Sequence, residues 1–119
     1  MSTILYGIKN CDSVKAARQW LEAHHIEYSF HDFRADGLTR QQVQAWLQEM
    51  GMEVLINKRS TTWKQLDVKT RENLNENTAA AVLVANPTLV KRPVLDIGHQ
   101  RIVGFSAELY DNVFKRHTL

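Results

Sequence analysis

The stretch Ile4-Leu5-Tyr6-Gly7-Ile8-Lys9-Asn10-Cys11-Asp12-Ser13-Val14-Lys15 decides the fold, because within it the hydrophobic period lengthens from that of a strand to that of a helix. Ile4, Leu5, Tyr6 and Ile8 form an apolar, β-favouring run loosened by Gly7, and Lys9-Asn10 breaks it with turn chemistry. From there, Val14, Ala17, Trp20 and Leu21 share one helical face. Cys11, the only cysteine, therefore falls at or just before the first turn of a helix, where several backbone N–H groups lack intrahelical partners and the macrodipole is positive. A thiol so placed, with cationic neighbours, can drop from its free pKa of ~8.5 into a range of roughly 3.5 to 7.5. Lys9 and Lys15 favour this and Asp12 opposes it. The other reading of a single cysteine is a small buried hydrophobe.

The chain has 119 residues, enough for one domain with a core and too few for two comfortable ones. Charged residues at 24% and hydrophobic residues at 44% exclude wholesale disorder. Fifteen basic against thirteen acidic residues leave a net charge of +2, which is not the footprint of a nucleic-acid-binding domain, although Lys58-Arg59 and Lys91-Arg92 are clusters able to hold a small anion. One cysteine cannot form an internal disulfide, and no charged leader with a long apolar core opens the sequence, so a cytoplasmic protein is expected. No apolar run approaches the ~20 residues of a membrane span, and no membrane association is expected.

The first helix should run from about Asp12 to His25, its two terminal histidines suiting the negative end of the dipole. Ile26, Tyr28 and Phe30 then alternate with polar residues up to Asp32, as in a half-buried strand, so the start reads as a βαβ unit with parallel strands. Arg34-Ala35-Asp36-Gly37 reads as a turn. Thr39 and Gln42 form a capping box ahead of a helix with Val43, Trp46, Leu47 and Met50 on one side, stopped by Gly51. Met52 to Thr70 suggests a short helix and a loop with Trp63 as an anchor. Asn77-Thr78 should cap Ala79–Ala85, apolar on all sides and expected as a buried helix ended by Asn86-Pro87. Two strands around Gly98, within residues 91–98 and 101–105, predict a hairpin, and Ser106 should cap a last helix with Leu109, Tyr110, Val113 and Phe114 inside and Lys115, Arg116 and His117 in its closing turn.

The order β-α-β, helices, β-β-α, together with Tyr6-Gly7-Ile8-Lys9-Asn10-Cys11-Asp12, Leu55-Ile56-Asn57-Lys58-Arg59-Ser60-Thr61-Thr62-Trp63 and Val90-Lys91-Arg92-Pro93-Val94-Leu95, resembles the thioredoxin-like superfamily. Within it, the sequence is similar to the arsenate reductase (ArsC) family that also contains the Spx-type regulators, and most similar to its reductase-like, YffB-type branch. The resemblance implies an α/β fold with a mixed sheet, a single domain over residues 1–119 and a helical insertion over 34–86. It further implies a cis-proline at Pro93 beside the reactive Cys11. Arg59 and Arg92 stand at positions where the family places arginines that hold an oxyanion or carboxylate, and Asn10 with the first helical N–H groups would stabilise the sulfur anion.

The resemblance points first to a thiol reductase whose single nucleophile, Cys11, forms a mixed disulfide resolved by an external thiol. Glutathione would be the co-substrate, with no bound cofactor, glutaredoxin would be a further partner, and the substrate would be a small-molecule or protein disulfide. Val14, three residues after Cys11, excludes a Cys-x-x-Cys switch. A non-enzymatic regulator binding RNA polymerase is the second reading. Arsenate reduction is the third, and Gly104 stands where such reductases carry a further arginine, with Arg101 nearby. His24, His25, His31, His99 and His117 lack ligand spacing, so no metal site is expected.

Overall fold

Strand β1 (Ile4–Gly7) lies inside a four-stranded sheet of order β2-β1-β3-β4, built from β2 (Ser29–Asp32), β3 (Val94–Asp96) and β4 (Arg101–Val103). It pairs in parallel with β2, Leu5 opposite Phe30 and Gly7 opposite Asp32, and antiparallel with β3, Ile4 opposite Asp96 and Tyr6 opposite Val94. β3 and β4 form the antiparallel hairpin, Leu95 opposite Ile102. Gly98, at φ +102°, turns it and donates its N–H to Asp96 Oδ1 at 2.8 Å. This is the mixed sheet of the thioredoxin-like α/β fold. The computed structural model describes residues 3–117, which divide into two compact units, one running to Asp32 and resuming at Arg92, the other Phe33–Lys91.

In the first unit the row Phe30, Leu5, Leu95, Ile102 crosses one face of the sheet, and helices α1 (Asp12–Ala23) and α8 (Ala107–His117) pack against it. Val14, Ala17 and Leu21 of α1 are fully buried there, each valine or leucine contributing about 1.5–3 kcal/mol. Gly7 leaves no room for a side chain beneath the helix: a Cβ at this position would lie 2.6 Å from Val14 Cγ2 and 3.1 Å from Val14 Cγ1. Tyr110 of α8 is buried among Trp20, Phe105 and Phe114, edge-on to the first two at 5.5 and 4.8 Å between ring centroids. Its hydroxyl has no hydrogen-bond partner among the described residues, and burial pushes its ionisation far above the ordinary tyrosine range. Ser106 caps α8, its Oγ accepting the Leu109 N–H at 3.0 Å. The side chains of Arg116 and His117 lie outside the described residues.

Several local expectations change. α1 stops at Ala23, and a Schellman motif closes it: Ile26 N–H donates to Leu21 C=O and His25 N–H to Glu22 C=O, with His25 at φ +56°. That turn uses up the residues after the helix, so only Ser29–Asp32 join the ladder although Ile26, Tyr28 and Phe30 are half-buried and Glu27 is exposed.

In the second unit, Phe33–Asp36 is a helical turn, α2, rather than an open one, closed by Gly37 at φ +70° whose N–H donates to Phe33 C=O. α3 (Arg40–Met50) begins at Thr39, whose Oγ1 accepts the Gln42 N–H at 3.1 Å, and ends at Gly51, at φ +84°. The segment expected as one short helix and a loop contains three: α4 (Met52–Leu55), α5 (Thr61–Gln65) and α6 (Val68–Glu72). Ser60 and Asp67 cap the last two by accepting the Trp63 and Lys69 N–H groups.

Thr78 precedes α7 (Ala79–Ala85) without capping it, because its hydroxyl donates back to Asn73 C=O at 2.9 Å. Nor is α7 buried all round: Ala79, Ala80 and Leu83 are inside, while Ala81 and Ala85 are exposed. Alanine is small enough to be neutral on both faces, which is why apolar composition overstated burial. α7 packs on α3, and Pro87–Leu89 follows as a 3-10 turn.

Gly7→Ala should lower the unfolding free energy by roughly 1–3 kcal/mol in urea titration, because Val14 is β-branched and cannot rotate away. Tyr110→Phe should leave stability at neutral pH unchanged or higher by about 1 kcal/mol. The unfolded phenol loses its proton near 10.0 whereas the buried one keeps it, so wild-type stability should fall as pH rises above 10.0, and the phenylalanine variant should lose less.

Candidate active site

Cys11 is the N-cap residue of α1, with extended backbone (φ −109°, ψ 125°), and its C=O accepts the Lys15 N–H at 2.9 Å. Its side chain makes no capping hydrogen bond. The thiol is half-exposed and packs against the cluster of Leu5, Val14, Ala17 and Leu21. The residue packs partly on the core and is partly accessible to solvent, at the end of a helix whose first N–H groups have no intrahelical partner. Asn10 and Lys9 are exposed in the turn before it, and Asp12 and Lys15 are exposed on the helix.

Strand register places the remaining first-unit residues. Tyr6 is opposite Val94, and Val94 opposite Val103, so the residues just outside the ladder, Pro93 and Gly104, lie level with Gly7 at the end of β1 that leads to Cys11. Gly104 N–H donates to Pro93 C=O at 2.9 Å. Pro93 is buried, the Arg92–Pro93 peptide is cis, and Arg92 is half-buried. Arg101 belongs to the other end of the sheet: it is opposite Asp96, itself opposite Ile4, and three residues along a strand is about 10 Å. There Arg101 Nη1 sits 3.6 Å from Asp96 Oδ1 and 3.4 Å from Gly98 O. Gly104 has φ +85°, with open space where a Cβ would point, so it is the backbone that favours glycine there and not crowding.

Asp32 is a residue the sequence reading left without a role. It is opposite Gly7 in the parallel ladder and only 8% exposed, the one buried charged residue among those described. Alternation carries the signal, since Tyr28, Phe30 and Asp32 fall on one face of the strand. Arg59 lies in the second unit, exposed, just before the Ser60 cap of α5, with its backbone N–H donating to Asn57 Oδ1 at 3.0 Å. No group of three or more histidine, cysteine, aspartate or glutamate side chains among the described residues is arranged to hold a metal ion. No helix among them is long and apolar enough to cross a membrane.

The ArsC family model matches residues 6–113, and the chain belongs to the ArsC family. A protein of Haemophilus influenzae is 44% identical over 110 residues, 92% of this chain and 96% of that one. The global transcriptional regulator Spx of Lactiplantibacillus plantarum is 29% identical over 107 residues, 88% of this chain and 80% of that one. Among solved structures, the YFFB protein superposes with a TM-score of 0.89 at 39% identity, covering 93% of this chain and 97% of that one. The fold is that of the thiol-reductase-like members of the family.

Gly104→Ala should cost about 1–2 kcal/mol in thermal or urea unfolding through its left-handed backbone alone. The equivalent change at Gly7 acts through contact, so Gly7→Ala and Val14→Ala together should cost less than the sum of the two single changes, whereas the costs of Gly104→Ala and Val14→Ala should add.

Proposed function

We propose that the protein is a thiol-dependent reductase in which Cys11 is the nucleophile and glutathione the external thiol. One observation carries this reading: the chain's single cysteine stands at the N-cap of a twelve-residue helix, half-exposed, with its thiol outside any capping hydrogen bond. In the first step the Cys11 thiolate attacks one sulfur of a disulfide substrate; the S–S bond breaks and the departing thiolate takes a proton from solvent. A glutathione thiolate then displaces the second half of the substrate, leaving Cys11 bonded to glutathione. A second glutathione, or a glutaredoxin thiol, attacks the glutathione sulfur and frees Cys11 as thiolate. With glutathione in both steps, two molecules are oxidised to glutathione disulfide for each substrate disulfide reduced to two thiols.

The first N–H groups of α1 and Asn10 would stabilise the sulfur anion, and the Arg92 guanidinium would hold a glutathione carboxylate by paired N–H donors. Pro93 would form the wall on which the peptide-like part of glutathione lies. Arg59, the second anion ligand of this reading, rests on the family resemblance alone. Such a cycle belongs in a reducing compartment, the cytoplasm. Arsenate is a weaker substrate for this reading, because Gly104 supplies no third guanidinium and Arg101 pairs with Asp96. The similarity to Spx supports a second reading, a regulator that binds RNA polymerase through a surface independent of the thiol.

Incubated with glutathione disulfide and analysed by intact mass and peptide mapping, the protein should carry one glutathione, on Cys11. Arg92→Ala should slow its formation by about tenfold. A Cys11 that stays unmodified in the folded protein overturns the reductase reading. Equal capture of RNA polymerase by wild type and Cys11→Ser would then favour the regulator.

A further inference from the structure

In the second unit a cleft of about 560 Å³ opens between the C-terminal half of α3, the Gly51 corner leading into α4, and the turn before α7. Its walls are held in place. α3 packs on α7, and Gly51, at φ +84°, donates its N–H to Leu47 C=O at 2.8 Å. The turn is fixed by its own hydrogen bonds: Asn75 Oδ1 accepts the Asn77 and Thr78 N–H groups at 2.8 and 3.2 Å, and the Thr78 hydroxyl donates to Asn73 C=O at 2.9 Å. Glu76 and Asn77 are thereby presented to the cleft by a pinned segment.

The charge of this cleft is one-sided. Among the described residues, no lysine, arginine or histidine lines it. Of its two carboxylates, Glu53 has an oxygen 3.8 Å from Lys58 Nζ, whereas Glu76 has no hydrogen-bond or ion-pair partner among the described residues. α3 points to the same sign of ligand. It is eleven residues long, its negative end falls at the Gly51 corner, and its last turn carries no basic residue to offset the dipole. α4 starts at that corner but is only four residues long, so its own N-terminus offsets little. One carboxylate and one helix C-terminus therefore face the cleft without a cation.

The polar groups narrow the kind of cation. The side-chain amides of Gln44, Gln48 and Asn77 have no hydrogen-bond partner among the described residues, and their three carbonyl oxygens with the two of Glu76 make five acceptors. A guanidinium carries five N–H donors and one positive charge, whereas an ammonium carries three donors. Leu47 and Met52, both half-buried, supply apolar surface for an alkyl stem. We propose that this cleft binds a small alkylguanidinium, with its planar head on Glu76 and the amide carbonyls and its stem over Leu47 and Met52. Paired donors match the Glu76 carboxylate in a way that a point-like ammonium does not. None of these residues takes part in the thiol chemistry, so the site stands or falls on its own.

The test is an NMR titration of ¹⁵N-labelled full-length protein with butylguanidinium chloride and, separately, with butylammonium chloride, at constant ionic strength set with sodium chloride. Butylguanidinium should give saturable shifts at the backbone amides of Gln48, Gly51, Met52 and Asn77 and at the side-chain amide of Gln44, with a Kd of about 1 mM. Butylammonium should bind more weakly by about threefold or more. Glu76→Gln should weaken butylguanidinium binding by about tenfold and Gln48→Ala by about threefold. Both residues are exposed, so the rest of the spectrum should stay in place. Shifts that do not saturate or that spread over the whole spectrum, butylammonium binding as tight as butylguanidinium binding, or an affinity unchanged in either variant would each overturn the proposal.

Discussion

The first unit depends on how closely α1 lies against β1. A single hydrogen atom on Gly7 is all that separates the strand backbone from the Val14 methyl groups, since a Cβ would stand 2.6 Å from one of them. Interiors packed at crystal-like density transmit such a constraint rather than absorb it. The helix begins five residues after Gly7, so a helix held closely at Val14 has little freedom at its first turn, and Cys11 inherits that position. The half-exposure of the thiol follows from where a helix must start in order to seat Val14, Ala17 and Leu21 on Leu5 and Leu95.

The sheet is chemically polarised along its strands. One end gathers Cys11, Pro93, Gly104 and the buried Asp32; the other carries Asp96 and Arg101, joined across the hairpin. The glycine at 104 combines two roles, a left-handed backbone and a hydrogen bond to the Pro93 carbonyl that closes the hairpin at the cysteine end. A residue with a long cationic side chain at 104 would meet backbone strain at this left-handed position.

Much of this was legible from residue pattern. The change of period between Ile8 and Val14 located β1, Cys11 and α1, and the Gly98 turn located the hairpin, because both are written in local chemistry. What was missed involves competition between neighbours. Thr78 looks like a cap, yet its hydroxyl goes to Asn73; Ser60 and Asp67 looked like loop residues, yet each starts a helical turn too short to show a period. β2 is shorter than its alternation because the Schellman turn through His25 occupies the chain before the ladder begins. Register, which separates Arg101 from the cysteine end, is a tertiary fact that no local pattern contains.

The place of β1 between β2 and β3 also sets an order of assembly. Its parallel partner is complete by Asp32, but its other edge waits for Val94–Asp96, some ninety residues later. At ribosomal speeds of roughly 5–20 residues per second, that edge stays open for roughly 5–18 seconds during synthesis. An unpaired, apolar central strand is a template for wrong partners over that interval. The intervening unit, rich in short capped helices with local contacts, can form while the strand waits.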